Sequence, residues 1–198
     1  MKLYTRAGDQ GMTQIIGPNA VSKADVRVEA YGTIDELNSY IGLLASLFVD
    51  QGHTEDATRV KELVRIQHYL FDCGTDISAV EGFDYRSEME AVNWLEERID
   101  YYSEIPDPIT QFVLPGGNVL ASHTHIARTV CRRAERCVVQ FIDSLRQDNT
   151  TVELPEAYFI VLKFLNRLSD YLFALARVVN SETKTPEVFY ERGGDVFR

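Results

Sequence analysis

The chain has 198 residues, of which 45% are apolar and 25% charged, with ten Phe, ten Tyr, twelve Gly and six Pro. That composition excludes a disordered or fibrous chain, and the length allows one domain to bury its own core without disulfides or a structural metal. Thirty acids against twenty bases give a net charge of -10, which repels long polyanions and anionic membranes and argues against nucleic-acid binding. The charge is uneven along the chain. Residues 1–27 carry Lys2, Arg6, Lys23 and Arg27 against Asp9 and Asp25, a balance of +2. Residues 121–141 carry Arg128, Arg132, Arg133 and Arg136 against Glu135, a balance of +3, so the remainder holds -15. Two basic islands in an acidic protein suit a small polyanion.

The first residues, Met1-Lys2-Leu3-Tyr4-Thr5-Arg6, place no apolar stretch behind a basic region. No window approaches about eighteen uncharged apolar residues, so a cytoplasmic protein with no membrane span is expected. Residues 1–26 read as loop. Within them, the glycines and threonines of Tyr4-Thr5-Arg6-Ala7-Gly8-Asp9-Gln10-Gly11-Met12-Thr13 can present N–H groups to phosphate oxygens, or form only a mobile terminal turn. The run is no Walker A loop, because no Gly-Lys-Ser/Thr follows and no strand precedes it.

Helix one carries Ala30, Ile34, Leu37, Ile41, Leu44 and Phe48 at the spacing of a core-facing stripe. Helix two carries Val60, Leu63, Gln67, Leu70, Gly74 and Ile77 in the same way, and a loop follows at Val80-Glu81-Gly82-Phe83-Asp84. Helix three, over about 87–104, aligns Val92, Leu95, Ile99 and Tyr102, with Ser87 as its N-cap ahead of Glu90. After the loop Ile105-Pro106-Asp107-Pro108 comes Phe112-Val113-Leu114-Pro115-Gly116-Gly117-Asn118, whose Pro and paired Gly allow a sharp turn and whose Asn118 can cap the next helix. Phe112 alone fits core packing as well as any site. Helix four aligns Leu120, Thr124, Ala127, Cys131, Ala134, Val138, Phe141 and Leu145. Helix five begins after Pro155 and aligns Tyr158, Leu162, Leu165, Ser169, Leu172, Ala176 and Val179, with a tail after Asn180. Five helices without an alternating strand predict an all-α fold, a left-handed up-and-down five-helix bundle of ferritin-like type. One domain is expected over 1–198, with loop at 1–26, bundle at 27–181 and tail at 182–198.

Second stripes of polar residues run beside the apolar ones. Helix four has His125, Arg128, Arg132 and Glu135, about 100° around the axis from its core line. Arg128, Arg132 and Arg136 repel one another, so the stripe is either a solvated face or half of a site. Helix one offers Asp35, Asn38 and Gly42; helix five offers Asn166, Asp170, Phe173 and Arg177. Three such lines can converge on one cleft. Cys73, Cys131 and Cys137 are odd in number and lack Cys-x-x-Cys spacing, as expected for buried reduced thiols. His123 and His125 point to different sides of their helix and cannot share a metal, and no Glu-x-x-His supports a di-iron bundle. All four histidines read as ordinary surface or core residues.

Five stretches, in order, resemble the PduO-type ATP:cob(I)alamin adenosyltransferases. They are Tyr4 to Thr13; Val28-Glu29-Ala30-Tyr31-Gly32-Thr33-Ile34-Asp35-Glu36-Leu37-Asn38; Phe112 to Gly117; Ala127-Arg128-Thr129-Val130-Cys131-Arg132-Arg133-Ala134-Glu135-Arg136; and Leu165-Asn166-Arg167-Leu168-Ser169-Asp170-Tyr171-Leu172-Phe173. Arg6 stands where the family more often has Lys, and Ala7 where a polar residue is common. The resemblance implies transfer of the 5′-deoxyadenosyl group of ATP to the cobalt of cob(I)alamin, with tripolyphosphate leaving and Mg²⁺ assisting. It implies that Thr5, Arg6, Gly8, Thr13, Lys23, Arg132, Glu135, Arg136 and Asn166 bind ATP. By the same resemblance Arg128 pairs with Asp35 at the corrinoid face, and Phe112 crowds out the lower axial ligand of cobalt. Asp35, Phe112, Arg128 and Arg132 are thus the expected catalytic set. A homotrimer with sites between subunits, and hand-off to an adenosylcobalamin-dependent enzyme, also follow from it. A non-catalytic bundle that binds nucleotide or corrinoid as sensor or carrier is the alternative.

Overall fold

The computed structural model describes residues 4–51, 56–80, 83–148 and 153–192. Lys2, His53, the Glu81-Gly82 pair and the tail beyond Arg192 lie outside them. Five helices follow a small hairpin: β1 (Met12–Gln14), β2 (Ala20–Ser22), α1 (Val26–Gln51), α2 (Asp56–Ser78), α3 (Met89–Ser103), α4 (Val119–Asp148) and α5 (Glu156–Glu182). The expected stripes form the core. Ala30, Ile34, Leu37, Ile41, Leu44 and Phe48 of α1 are buried, as are Leu120 to Phe141 of the α4 stripe and six of the seven named on α5. Val60, Ile99, Leu145 and Leu162 pack at the margin of the same cluster.

Cross-helix contacts give the directions. Thr33 meets Cys137 and Glu36 meets Arg133, so α1 runs antiparallel to α4. Asn38 meets Gln67, and the Phe48 ring lies 5.8 Å below the Arg59 guanidinium, so α1 is antiparallel to α2 as well. Glu135 meets Asn166 and Phe141 meets Tyr158, which orients α5 against α4. The result is the expected up-and-down bundle, with α3 leaning on α5.

Two local expectations are corrected. Residues 1–26 contain a two-stranded antiparallel sheet, with Thr13 opposite Val21. Strands of three residues are too short for alternation to register in the sequence. The α3 cap moves to Glu88, without a side-chain hydrogen bond. Ser87 fails as a cap because the fully buried Asp76 carboxylate accepts the backbone N–H groups of Arg86 (3.0 Å) and Ser87 (2.8 Å), fixing that residue outside the helix.

Glu62 ties α3 to the bundle. Its buried carboxylate accepts hydrogen bonds from the hydroxyls of Tyr102 (2.8 Å) and Tyr171 (3.0 Å) and pairs with Arg98 at 2.8 Å. Removing a buried carboxylate leaves its partners desolvated and unpaired. Glu62→Ala is therefore expected to lower unfolding free energy by about 3 kcal/mol or more, measured by denaturant titration. A loss no larger than that of a surface substitution such as Glu97→Ala would show that the tie contributes nothing.

Candidate active site

The polar stripes of α4 and α5 meet along one seam. Near its middle, Asn166 donates from Nδ2 to Glu135 at 3.0 Å and accepts from Arg167 at 2.5 Å, while Arg167 also pairs with Glu96 at 2.8 Å. Arg136 donates to the Arg132 carbonyl at 2.9 Å, and both side chains stay exposed. One turn along, the half-buried Arg128 guanidinium lies 5.8 Å above the Phe173 ring, and the buried His125 ring packs on the same Phe at 6.1 Å. Among the described residues, neither buried Arg128 Nε nor Nδ1 of His125 has a hydrogen-bond partner.

Electrostatics follow from this crowding. Burial first, then the Arg132 charge, lower the Arg128 pKa, and Asp170 acts in opposition. The Asp170 carboxyl is raised mainly by burial, against the pull of Arg167, Arg132 and Arg128. His125 is pushed down to about 4 by burial and by Arg128, so its imidazole is neutral at physiological pH. The seam thus offers guanidinium N–H donors next to an aromatic wall, a combination suited to an anionic ligand with an extended apolar face.

At the same end of the seam, the Phe112 loop turns into α4. Asn118 caps that helix, its Oδ1 accepting from the Ala121 N–H at 2.7 Å. Asn180 of α5, 2% exposed, is the core of the turn: Oδ1 accepts from Asn118 N–H at 3.1 Å and Nδ2 donates to Gly116 O at 3.0 Å. Gly117, at φ 113°, wraps so closely that a side chain there would collide with the Asn180 amide. Phe112 is left 55% exposed, so it is not core packing within the protomer. Sequence reasoning missed Asn180, taking it only as the last residue before the tail.

The N-terminal island is built separately. Lys23 donates from Nζ to Gly8 O at 2.9 Å and from its backbone to Gly11 O at 2.8 Å, closing the loop over the hairpin that holds Thr13. A side chain on Gly8 would press on the Lys23 ammonium. Thr5 Oγ1 accepts from the Ala7 N–H at 3.4 Å, and Arg6 takes a left-handed φ of 65°. The hairpin is fastened to the end of α2, with Ile16 paired to Ala79 and Arg27 donating to the Ala79 carbonyl. Among the described residues, no hydrogen bond or ion pair joins this loop to Arg132, Glu135, Arg136 or Asn166.

The third polar line goes elsewhere. Exposed Asp35 and buried Asn38 line a cavity of about 260 Å³ between α1 and α2, with Tyr31, Phe71, Gly74 and Thr75. Asn38 Oδ1 is buried there without a partner. Among the described residues, no ion pair joins Asp35 to Arg128; the arginine that reaches α1 is Arg133, through Glu36. The chain therefore brings Arg128, Arg132, Glu135 and Asn166 together along the seam, leaves Phe112 exposed on the loop that enters α4, and places Asp35 in the α1–α2 cavity and the N-terminal loop beside the end of α2.

A fold of five helices with such a seam has known counterparts. The family model described as cobalamin adenosyltransferase matches residues 3–179. The corrinoid adenosyltransferase of Bacillus subtilis is 49% identical over 100% of this chain and 96% of its own length, and the human corrinoid adenosyltransferase is 36% identical over 96% and 73%. Among solved structures, a single-residue Phe-to-His variant of the PduO-type ATP:corrinoid adenosyltransferase of Lactobacillus reuteri, complexed with cobalamin and ATP, superposes with a TM-score of 0.86. It is 40% identical, over 99% of this chain and 100% of that one. The chain belongs to the cobalamin adenosyltransferase family. Within it, the protein is a PduO-type enzyme that transfers an adenosyl group from ATP to a corrinoid.

Among the described residues, no helix is long and apolar enough to cross a membrane, and all three cysteines are buried free thiols. The depressed His125 pKa carries a consequence for stability. The unfolded chain binds a proton near pH 6.5 that the folded protein resists until about 4, so stability is full above 6.5 and falls as pH drops through that window. The loss reaches roughly 2–3 kcal/mol by pH 4. His125→Asn is expected to flatten the stability curve between those limits, as followed by denaturant midpoints; an unchanged slope would show that His125 does not govern it.

Proposed function

We propose that the seam binds the corrinoid and the phosphates of ATP, and that the reaction proceeds by direct attack of cobalt on the 5′ carbon of the ribose. Cob(I)alamin is a strong nucleophile, so the chain need not supply one. As the Co–C bond forms, the bond from C5′ to the triphosphate oxygen breaks and tripolyphosphate leaves with that electron pair. The protein's tasks are alignment and stabilisation of charge on the leaving group. Arg132 and Arg136, both exposed on α4, suit the second task. The observation that carries the reading is the meeting of Arg128, Arg132, Glu135 and Asn166 along the α4–α5 seam, with Phe112 exposed on the loop that enters α4.

Glu135 Oε1 accepts from Asn166, and its Oε2, a hard oxygen donor that suits this ion, would hold a hydrated Mg²⁺. Bound there, Mg²⁺ would neutralise charge on the leaving triphosphate. Thr5, Arg6, Gly8, Thr13 and Lys23 are assigned to the phosphates from the second basic island. Because that island and Asp35 lie on faces away from the seam, the site is completed by a neighbouring subunit, and a homotrimer gives every seam such a neighbour. On this reading Asp35 of one protomer pairs with Arg128 of the next. The cavity beside Asp35 and the unpartnered Arg128 Nε are what such an arrangement would fill. Phe112 then crowds the lower face of the corrinoid, disfavouring the axial ligand of Co(II) and easing reduction to Co(I). The enzyme would act in the cytoplasm and pass its product to an enzyme that uses it.

Incubation with ATP, Mg²⁺ and chemically reduced cobalamin is expected to convert the optical spectrum to that of the alkylated product, with one tripolyphosphate released per turnover. Tight ATP binding with no alkylation would instead identify a carrier. The subunit assignment is checked by complementation. Asp35→Ala and Arg128→Ala are each expected to lose about tenfold or more in turnover from Co(II), and refolded mixtures of the two should recover activity, because some interfaces then hold both native residues. Mixtures no better than the separate variants would place the pair within one protomer.

A further inference from the structure

The Phe112 loop is held along its outer side by the tail. Leu114 N–H donates to Val188 O at 2.7 Å and Tyr190 N–H donates to Phe112 O at 2.8 Å, an antiparallel pairing centred on Val113 and Phe189. Phe112 itself is thus one rung of a two-stranded ladder whose other strand is tail. Val188, Phe189 and Tyr190 of that tail strand are all exposed, and Phe189 borders a cavity that Pro106, Pro108 and Pro186 also line. The buried anchor of the strand is a charge pair. Arg177, on the last turns of α5, pairs with Glu187 through two bonds, Nε to Oε1 at 2.8 Å and Nη2 to Oε2 at 3.0 Å, with side chains 7% and 15% exposed. The same Nη2 donates to the Asp107 carbonyl at 2.7 Å, at the start of the loop that leads to Phe112. One guanidinium therefore fastens both strands of the ladder to the bundle.

We infer that Arg177 and Glu187 are positioning residues for the reaction, acting through the ladder to hold Phe112 against the corrinoid. A bidentate pair this buried is geometrically specific, and loss of one partner leaves the other charge desolvated, so the tail strand comes away when the pair is broken. Without its second strand, the Phe112 carbonyl loses a bond and the ring loses its fixed height above the seam. The role rests on the reading that Phe112 displaces the axial ligand, and both are tested in one experiment. Neither residue meets the nucleotide in this placement.

The readout is the electron paramagnetic resonance spectrum of Co(II)cobalamin bound to full-length protein with ATP, which distinguishes four-coordinate from five-coordinate cobalt. Glu187→Ala is expected to cut the four-coordinate fraction, and turnover starting from Co(II), by about tenfold, while ATP affinity and turnover from pre-reduced Co(I) change by less than about twofold. Glu187→Gln, which keeps an acceptor for Arg177, should fall between Ala and the native protein. Tyr190→Pro removes the N–H donated to Phe112 in an exposed strand that the core does not need; it should lose more of the four-coordinate signal than Tyr190→Ala, which keeps that N–H. Phe112→Ala serves as reference. If Phe112→Ala abolishes the signal while Glu187→Ala and Tyr190→Pro retain it, the positioning role is overturned. If Phe112→Ala itself retains the signal, the axial-ligand reading falls instead.

Discussion

Between Tyr171 and Asn180 almost every side chain of α5 is buried, and two polar ones, Arg177 and Asn180, are sealed in with the apolar majority. Buried polar groups must find partners, because an unpaired amide or guanidinium costs several times what its hydrogen bond contributes. α5 can supply none from its own helix, so its partners are brought from outside: Gly116, Asn118, Asp107 and Glu187. This constraint shapes the whole end of the bundle. The loop before α4, the start of α4 and the tail after α5 are laid over α5 in the positions that satisfy it. The exposure of Phe112 follows, since a loop pulled inward by its carbonyl and glycine backbone must turn its aromatic side chain outward.

The same end of the molecule shows what a sequence can reveal. The apolar stripes were legible because helices of five or more turns repeat the pattern often enough to be unambiguous, and Asn118 was legible as a cap because side chain and following helix are adjacent in sequence. Partnerships across long separations were not. Asn180 and Gly116 are 64 residues apart, and Glu62 and Tyr171 are 109 apart. A Glu on α2 flanked by Arg, Lys and Val reads as surface, and only the fold brings two tyrosine hydroxyls and Arg98 to it. Ser87 illustrates the converse: its local signature favoured a cap, and a carboxylate eleven residues earlier, at Asp76, took its N–H first.

The polar stripes were partly legible for a related reason. α4 and α5 are consecutive antiparallel neighbours, so Glu135 and Asn166 had to face one another once both stripes lay beside the seam. Asp35 belongs to α1, which meets α4 along a different line, through Thr33, Glu36, Arg133 and Cys137. Periodicity says which face of a helix a residue occupies and nothing about which neighbour that face meets. Family resemblance named the pair Asp35 and Arg128; the geometry of the chain separates them, Asp35 lining the α1–α2 cavity and Arg128 lying over the Phe173 ring.

The charge distribution has the same logic. A net charge of -10 disfavours phosphate in general, yet a transfer reaction that expels a triphosphate needs cations at the leaving group and nowhere else. Placing Arg128, Arg132 and Arg136 on one helix costs mutual repulsion, and the Arg128 pKa is lowered by burial first and then by the Arg132 charge. Asp170 and Glu135 offset part of it without neutralising the seam. A ligand with several negative charges would relieve the rest, because it exchanges repulsion among guanidinium groups for attraction. Holding the second basic island on a separate face keeps that repulsion from growing within one chain. The chain thus folds with its cations in two clusters, each bearing only its own repulsion.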